Sequence, residues 1–385
     1  MFDVSVVKCG DYDEERVTAA LRAVLEPIGG LDWVKPGMRV GIKANLVTFQ
    51  KPESAATTHP ALLCALVRLL KERGADAVVG DSPGGLYTAA YVNRVYAATG
   101  MKRVEEAGGE LNRDFSEAKA DFPDAKVALR FTYTAWLDHV DGIIDFCKLK
   151  SHGMMSMSAA VKNLFGTIPG TLKPEYHFKY PNERDFADML VDLNEYFRPR
   201  LCIADAVVAM EGNGPTAGVP RRLGALMAST NPYALDLVCA DVIGVTIDDV
   251  PTIRAAYERG LCPASAAELS ICGDLNGVRV SDFDNIRNHN SLLFQGNRGV
   301  VSRLTGKVIR GALCAKPVVK PKRCVSCGVC ARTCPAKAIR IRNGVPAIDR
   351  KKCIRCFCCQ EFCPKGAMVV RRPLAARILN GRGEK

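Results

Sequence analysis

Two stretches near the end of the chain, CVSCGVCARTCP from Cys324 and CIRCFCCQEFCP from Cys353, share the spacing C-x2-C-x2-C-x3-C-P. They lie 29 residues apart, and Ala338-Ile339 falls in register with Ala367-Met368, so the pair is an internal repeat. Each run is thus a triplet of closely spaced thiols trailed, four residues on, by a Cys-Pro. Zinc sites use pairs of C-x2-4-C rather than two triplets each trailed by a Cys-Pro. Nine of the seventeen cysteines crowd into this region, where such spacing argues for metal ligation over disulfides. The other eight, Cys9, Cys64, Cys147, Cys202, Cys239, Cys262, Cys272 and Cys314, are scattered singly and read as small buried hydrophobes.

The doubled run resembles the bacterial ferredoxins that hold two [4Fe–4S] clusters. That resemblance implies one cluster on Cys324, Cys327, Cys330 and Cys363, and a second on Cys334, Cys353, Cys356 and Cys359. Cys358 is then spare: either a small residue packed near a cluster, or a redox-active or substitute ligand. Between the halves, IRIRNGVPAI alternates apolar and polar residues around Asn343-Gly344, a hairpin signal.

Charge divides at the same place. Residues 316–385 hold 18 Lys and Arg against 3 Asp and Glu; of the chain's 53 basic and 41 acidic residues, the first 315 positions keep 35 and 38. The basic excess belongs to the tail, so a uniformly basic nucleic-acid binder is excluded. Those Lys and Arg offset the charge of bound clusters and leave some for docking an acidic partner.

Upstream, strand and helix patterns alternate. RVGIKANLV, DAVVG, VDGIIDFCKLK, RLCIADAVVAM, LGALMAST and AELSICGD read as strands; THPALLCALVRLLKERGA, SMSAAVKNLFG and PYALDLVCADVIG read as helices. Thr58 is the expected N-cap of the first of these helices and Gly74 its stop. The fold class expected is α/β, a doubly wound, mostly parallel sheet domain at 1–298, followed by a small α+β two-cluster ferredoxin-like domain at 321–372. A basic linker, 299–320, carries Val301, Leu304, Val308 and Ala312 on one helical face before the stiff, extended KPVVKPK, and a basic tail occupies 373–385. The linker helix reads as packed on the body, or as resting on anionic lipid or an acidic redox partner. No apolar run reaches the about eighteen residues of a membrane span and no signal peptide is recognisable, so the expected location is cytoplasmic.

Polar residues gather at the carboxyl ends of the expected strands: Lys43 and Asn45, Asp81 and Ser82, Lys148, Lys150 and His152, and Asp205. Open α/β sheets bind ligands in that crevice, and a rim of Lys, His and Asn suits a small anion bearing carboxylate or phosphate. GDSPGGLY matches neither the dinucleotide nor the Walker pattern, and no Ser-His-Asp or zincin arrangement appears.

GIKANLV, TTHPALLCALVRLLKERGA, VVGDSPG, CKLKSHGMMSMSAAVKNLFGTIPG and NPYALDLVCADVIG resemble the iron–sulfur centre proteins of domain of unknown function 362, over Val40 to Gly244. The most specific piece is the K-x-K-x-H-G loop with the V-K-N helix after it. The resemblance implies redox work and draws attention to Lys162 and Asn163, which periodicity alone places on an exposed helix face. The leading expectation is an iron–sulfur oxidoreductase that accepts electrons from a low-potential partner protein. Lys43, Lys148 and Lys150 would bind and polarise the anion, with Asn45, Asp81, Ser82, Asn163 and Asp205 beside it, and His152 or Lys162 would supply a proton. The alternatives are a non-catalytic electron carrier or adaptor, and a cluster-bearing sensor.

Overall fold

The computed structural model describes residues 1–285 and 315–371. The linker face with Val301, Leu304, Val308 and Ala312, along with Cys314 and the tail 373–385, lies outside the described residues.

In chain order the strands are β1 (Val4–Lys8), β2 (Arg39–Lys43), β3 (Asp76–Gly80), β4 (Glu110–Leu111), β5 (Glu117–Asp121), β6 (Arg130–Thr134), β7 (Gly142–His152), β8 (Ser156–Ser158), β9 (Leu201–Glu211), β10 (Val219–Ser229) and β11 (Ile271–Cys272). Nine of them form one sheet in the order β11-β1-β10-β9-β7-β2-β3-β4, with β8 folded back on β7. The pairings β11–β1, β9–β7, β7–β2, β2–β3 and β3–β4 are parallel, while β10 runs antiparallel to both its neighbours. β5 and β6 pair separately.

Period-two alternation sends successive side chains to opposite faces, and both faces are covered. Ile144 and Phe146 of β7 join one core with Val17, Leu21, Leu62 and Leu66 from the helices Glu14–Leu25 and Pro60–Glu72. Cys147 and Leu149 join the other, with Leu235 and Val238 from the helix Pro232–Val242. Of the singly placed cysteines, Cys9, Cys64, Cys147, Cys202 and Cys239 are buried; Cys262 and Cys272 are partly so.

The helix Pro60–Glu72 differs in one detail from the sequence expectation. His59 is its N-cap, Nδ1 accepting from the Ala61 amide at 3.3 Å. The Thr58 hydroxyl instead takes the Asn45 amide (3.0 Å) and donates to the Phe146 carbonyl (2.7 Å), tying the end of β2 to β7. Gly74 does follow the helix in the left-handed region, at φ 75°. SMSAAVKNLFG likewise splits: Ser156–Ser158 is a strand and only Ala160–Asn163 is α-helical.

The tail forms a second, small unit of strands β12 (Lys316–Val319), β13 (Ile339–Arg342), β14 (Val345–Ile348) and β15 (Met368–Arg371). β13 and β14 form the expected hairpin, with Asn343 and Gly344 both at positive φ. By sequence Lys316–Val319 belongs to the linker; it is extended but pairs antiparallel with β15, so its backbone groups are spent on that unit's edge.

Candidate functional site

Strand β7 outruns β2, and Lys148, Lys150 and His152 project from its free end on the Phe146 face. Each meets a different partner. Lys148 Nζ pairs with Asp205 at 2.8 Å and touches the Tyr12 hydroxyl at 2.9 Å. Tyr12, stacked on His59 with ring centroids 3.6 Å apart, closes over that pair. Burial lowers the Lys148 pKa, with Asp205 opposing. Lys148 and Asp205 therefore serve as a sealed internal clamp; like Lys43 and His152, they stand outside the pocket that Asn45, Asp81, Ser82 and Lys150 help to line.

That pocket is lined by Asn45, Asp81, Ser82, Lys150, Lys162, Asn163 and Lys173, and by Glu361 from the cysteine unit. Lys150 Nζ donates to Asn45 Oδ1 (2.5 Å) and to the Ala56 carbonyl (2.8 Å). Burial, then the nearby Lys162, pushes its pKa down to about 7. Asn45 Nδ2 donates to Asn163 Oδ1 (2.6 Å), and Asn163 Nδ2 to Asp145 (2.5 Å), so one ordered amide chain sets the Lys150 position. Asp236 caps the helix Ala160–Asn163, accepting from the Ala160 amide at 2.7 Å, and thereby fixes Lys162 and Asn163. Asn163 is buried rather than on an exposed face. The Lys162 ammonium lies 5.5 Å over the Phe165 ring and has no hydrogen-bond partner among the described residues; burial lowers its pKa, with Glu361 opposing.

Lys43 is buried against Asp81 at 2.8 Å, and a Cβ on Gly166 would collide with this pair. A Cβ on Gly170 would meet the Pro83 and Gly85 carbonyls, so glycine there lets the backbone pack directly on the loop after β3. The buried Ser82 hydroxyl faces the pocket without a partner among the described residues.

Sequence reasoning missed Lys173 and Glu361. Lys173 Nζ donates to the Ser82 and Ile168 carbonyls (2.6 and 2.7 Å), and burial lowers its pKa to about 7. No local pattern marks it. Glu361 had a legible signal: it and Asp349 are the acidic residues of 316–371. Its carboxylate accepts from His152 Nε2 at 3.0 Å, while His152 Nδ1 accepts the Met154 and Met155 amides at 3.1 Å each. That arrangement fixes the Nε2–H tautomer, and burial, then Lys162, lowers the His152 pKa to about 4. Burial would raise the Glu361 pKa, but the His152 hydrogen bond and Lys162 outweigh it and the net shift is downward.

The cysteines gather around two voids. One is lined by Cys324, Cys327, Cys330 and Cys363, the other by Cys334, Cys353, Cys356 and Cys359, with Cys358 as a fifth thiol. Backbone amides of Ala338 and Ala367 donate to Cys334 and Cys363 sulfurs at 3.3 and 3.2 Å. Four thiols around each void, with amide donors to sulfur, fit cubane clusters. Among the described residues no group of three His, Cys, Asp or Glu is arranged to share a single metal ion.

Residues 316–364 match the 4Fe-4S dicluster domain, so fold and site together define an iron–sulfur protein with an electron-transfer domain joined to an α/β body. The chain belongs to the domain of unknown function (DUF362) family, which it matches over residues 40–241. It is 36% identical over 274 residues to the thylakoid-associated protein sll1697 of Synechocystis sp., covering 69% of this chain and 82% of that relative. Among solved structures it is similar to the lactate racemase apoprotein from Thermoanaerobacterium thermosaccharolyticum, with TM-score 0.42 and 12% identity over 64% of this chain and 58% of that one. A Thermotoga maritima protein gives 0.35 and 16%, over 56% and 55%. No helix among the described residues is long and apolar enough to cross a membrane.

Proposed function

We propose that this protein is an iron–sulfur oxidoreductase that reduces an anionic small molecule held in the lysine-lined pocket. Cys324, Cys327, Cys330 and Cys363 would hold one [4Fe–4S] cluster, and Cys334, Cys353, Cys356 and Cys359 the other. When bound, the clusters supply electrons one at a time. The observation that carries the reading is Glu361: it lies between Cys359 and Cys363 in sequence and forms part of the pocket wall. The electron-carrying unit and the anion site therefore share a boundary.

Lys150, Lys162 and Lys173 would take the carboxylate or phosphate oxygens, with the Ser82 hydroxyl as an added donor. Lys43 stays locked on Asp81 and holds that pocket-lining carboxylate in place. Lys150, with a pKa of about 7, is the proton donor this geometry favours. His152 keeps its Nε2 proton on Glu361 and holds that carboxylate in place. The electron source is a low-potential partner protein. We place the molecule in the cytoplasm, with a peripheral membrane contact in keeping with the relative's thylakoid association.

The test is direct. Small carboxylates and phosphates are added to the cluster-loaded protein, and both the melting temperature and the reoxidation of dithionite-reduced clusters are followed. At least one anion should raise the first and drive the second. If none does either, the reductase reading fails and a non-catalytic carrier or adaptor takes its place.

A further inference from the structure

The dicluster unit is built twice, and its two copies meet different surroundings. Left-handed Ser326 and Gly328 (φ 55° and 71°) recur 29 residues on as Arg355 and Phe357 (φ 59° and 61°). The helix Val329–Arg332 recurs as Cys358–Glu361. The second copy is pressed against the α/β body. Phe357, Cys358 and Gln360 are buried there, and Gln360 Nε2 donates to the Asn213 and Gly214 carbonyls at 2.8 and 3.2 Å.

Among the described residues, the equivalent face of the first copy is exposed. Cys327, the counterpart of buried Cys356, is exposed, and Val325 beside it is 57% exposed. Arg332, which occupies the position of Glu361, is also exposed. Ile341 is 39% exposed, and with Val325 it lines the first void; Lys365 lines the same void from the rim.

We propose that this open copy is the docking face for an acidic one-electron carrier protein. A small apolar centre flanked by the cations Arg332 and Lys365 suits electron-transfer complexes, which lie at the low end of interface sizes and rely on charge for encounter. The exposed thiol position puts the first void at the surface, where an electron can enter by a short path. The carrier is oxidised by one electron and the dicluster domain reduced by one; no group moves. The inference rests on the reading of the domain as an electron inlet, and it assigns the two copies opposite jobs, one toward the partner and one toward the pocket.

The experiment measures binding of the full, oxidised, cluster-loaded chain to a strongly acidic flavodoxin, with basic cytochrome c as a counter-probe. Flavodoxin should bind, and its affinity should fall at least about tenfold from low to high salt. R332E and K365E should each weaken it about fivefold with cluster absorbance unchanged, whereas K35E on the body should leave it intact. Equal binding of cytochrome c, salt-independent binding, or parental affinity in both variants would overturn the proposal. So would capture of anionic phosphatidylglycerol vesicles through Arg332 and Lys365 with flavodoxin left unbound. Because no turnover is read, these outcomes are separable from the anion-induced melting shift.

Discussion

A lysine ammonium that donates to Asn45 Oδ1 and the Ala56 carbonyl inside the body, with Lys162 close by, holds its proton loosely, and the Lys150 pKa of about 7 expresses this. The cationic form binds anions, so affinity in the pocket should be highest below pH 7 and fall as pH rises through it. Lys173, also near 7, acts in the same direction. A charge-assisted hydrogen bond contributes about 1.5–3 kcal/mol, so Lys150→Met should weaken anion binding about 10- to 100-fold at pH 6 and flatten part of the pH profile. Calorimetric titration at pH 6 and pH 8 checks this; equal affinity at both would remove Lys150 from the site. At this scale the sequence disclosed which residues carry charge but not their partners. Lys148 and Lys150 are indistinguishable as letters. One meets a carboxylate from β9 and the other an amide beyond β2, and such pairings across distant segments are set only by the fold.

Among the elements, the loop from Cys353 to Cys359 sets two effects against each other. Phe357 sits at φ 61°, a region that costs a non-glycine residue about 1–2 kcal/mol, and its repeat partner is indeed Gly328. Its ring is nonetheless 4% exposed, packed in the core cluster that includes Met154, Met155 and Phe165 and lying against Gly153. Removing a buried phenyl costs about 3–5 kcal/mol, so packing wins. Phe357→Gly should destabilise the protein by about 2–3 kcal/mol despite relieving the backbone, measured by urea unfolding; a neutral or stabilising result would mean the ring does not anchor the dicluster domain. The repeat itself was fully legible, because metal ligation imposes spacing locally. The use of one copy as a wall of the pocket was not. Phe357 and Glu361 look like ordinary variation on Gly328 and Arg332 until the body is in place.

For the molecule as a whole, two buried histidines and one partly buried set a limit on acid stability. Burial lowers the pKa of His59 and His152 to about 4 and of His177 to about 3, against an ordinary 6.5. In the folded state they stay neutral at pH 5, whereas the unfolded chain protonates them. Stability is thus retained above pH 6.5 and lost as pH falls from there toward 4, with unfolding taking up two to three protons. That is a slope of roughly 3–4 kcal/mol per pH unit near pH 5. Urea midpoints followed by Trp33 and Trp136, both in the α/β body, should show it; a flat profile between pH 6.5 and 5 would contradict the burial of these rings. The sheet class was readable from alternating strand and helix signals. The antiparallel β10 was not, because strand direction leaves no mark on a buried apolar run.

The three polar side chains at the free end of β7 work as marks on a ruler. Alternate residues on a strand are spaced by about 7 Å, and here the first mark locks the sheet, the second lines the lysine pocket and the third grips the dicluster domain. The separation between the lysine pocket and the dicluster contact is therefore dictated by peptide geometry rather than by adjustable side chains. A single residue inserted between Lys148 and His152 would rotate at least one mark to the opposite face. The marks on either side of the insertion would then fall out of phase with each other.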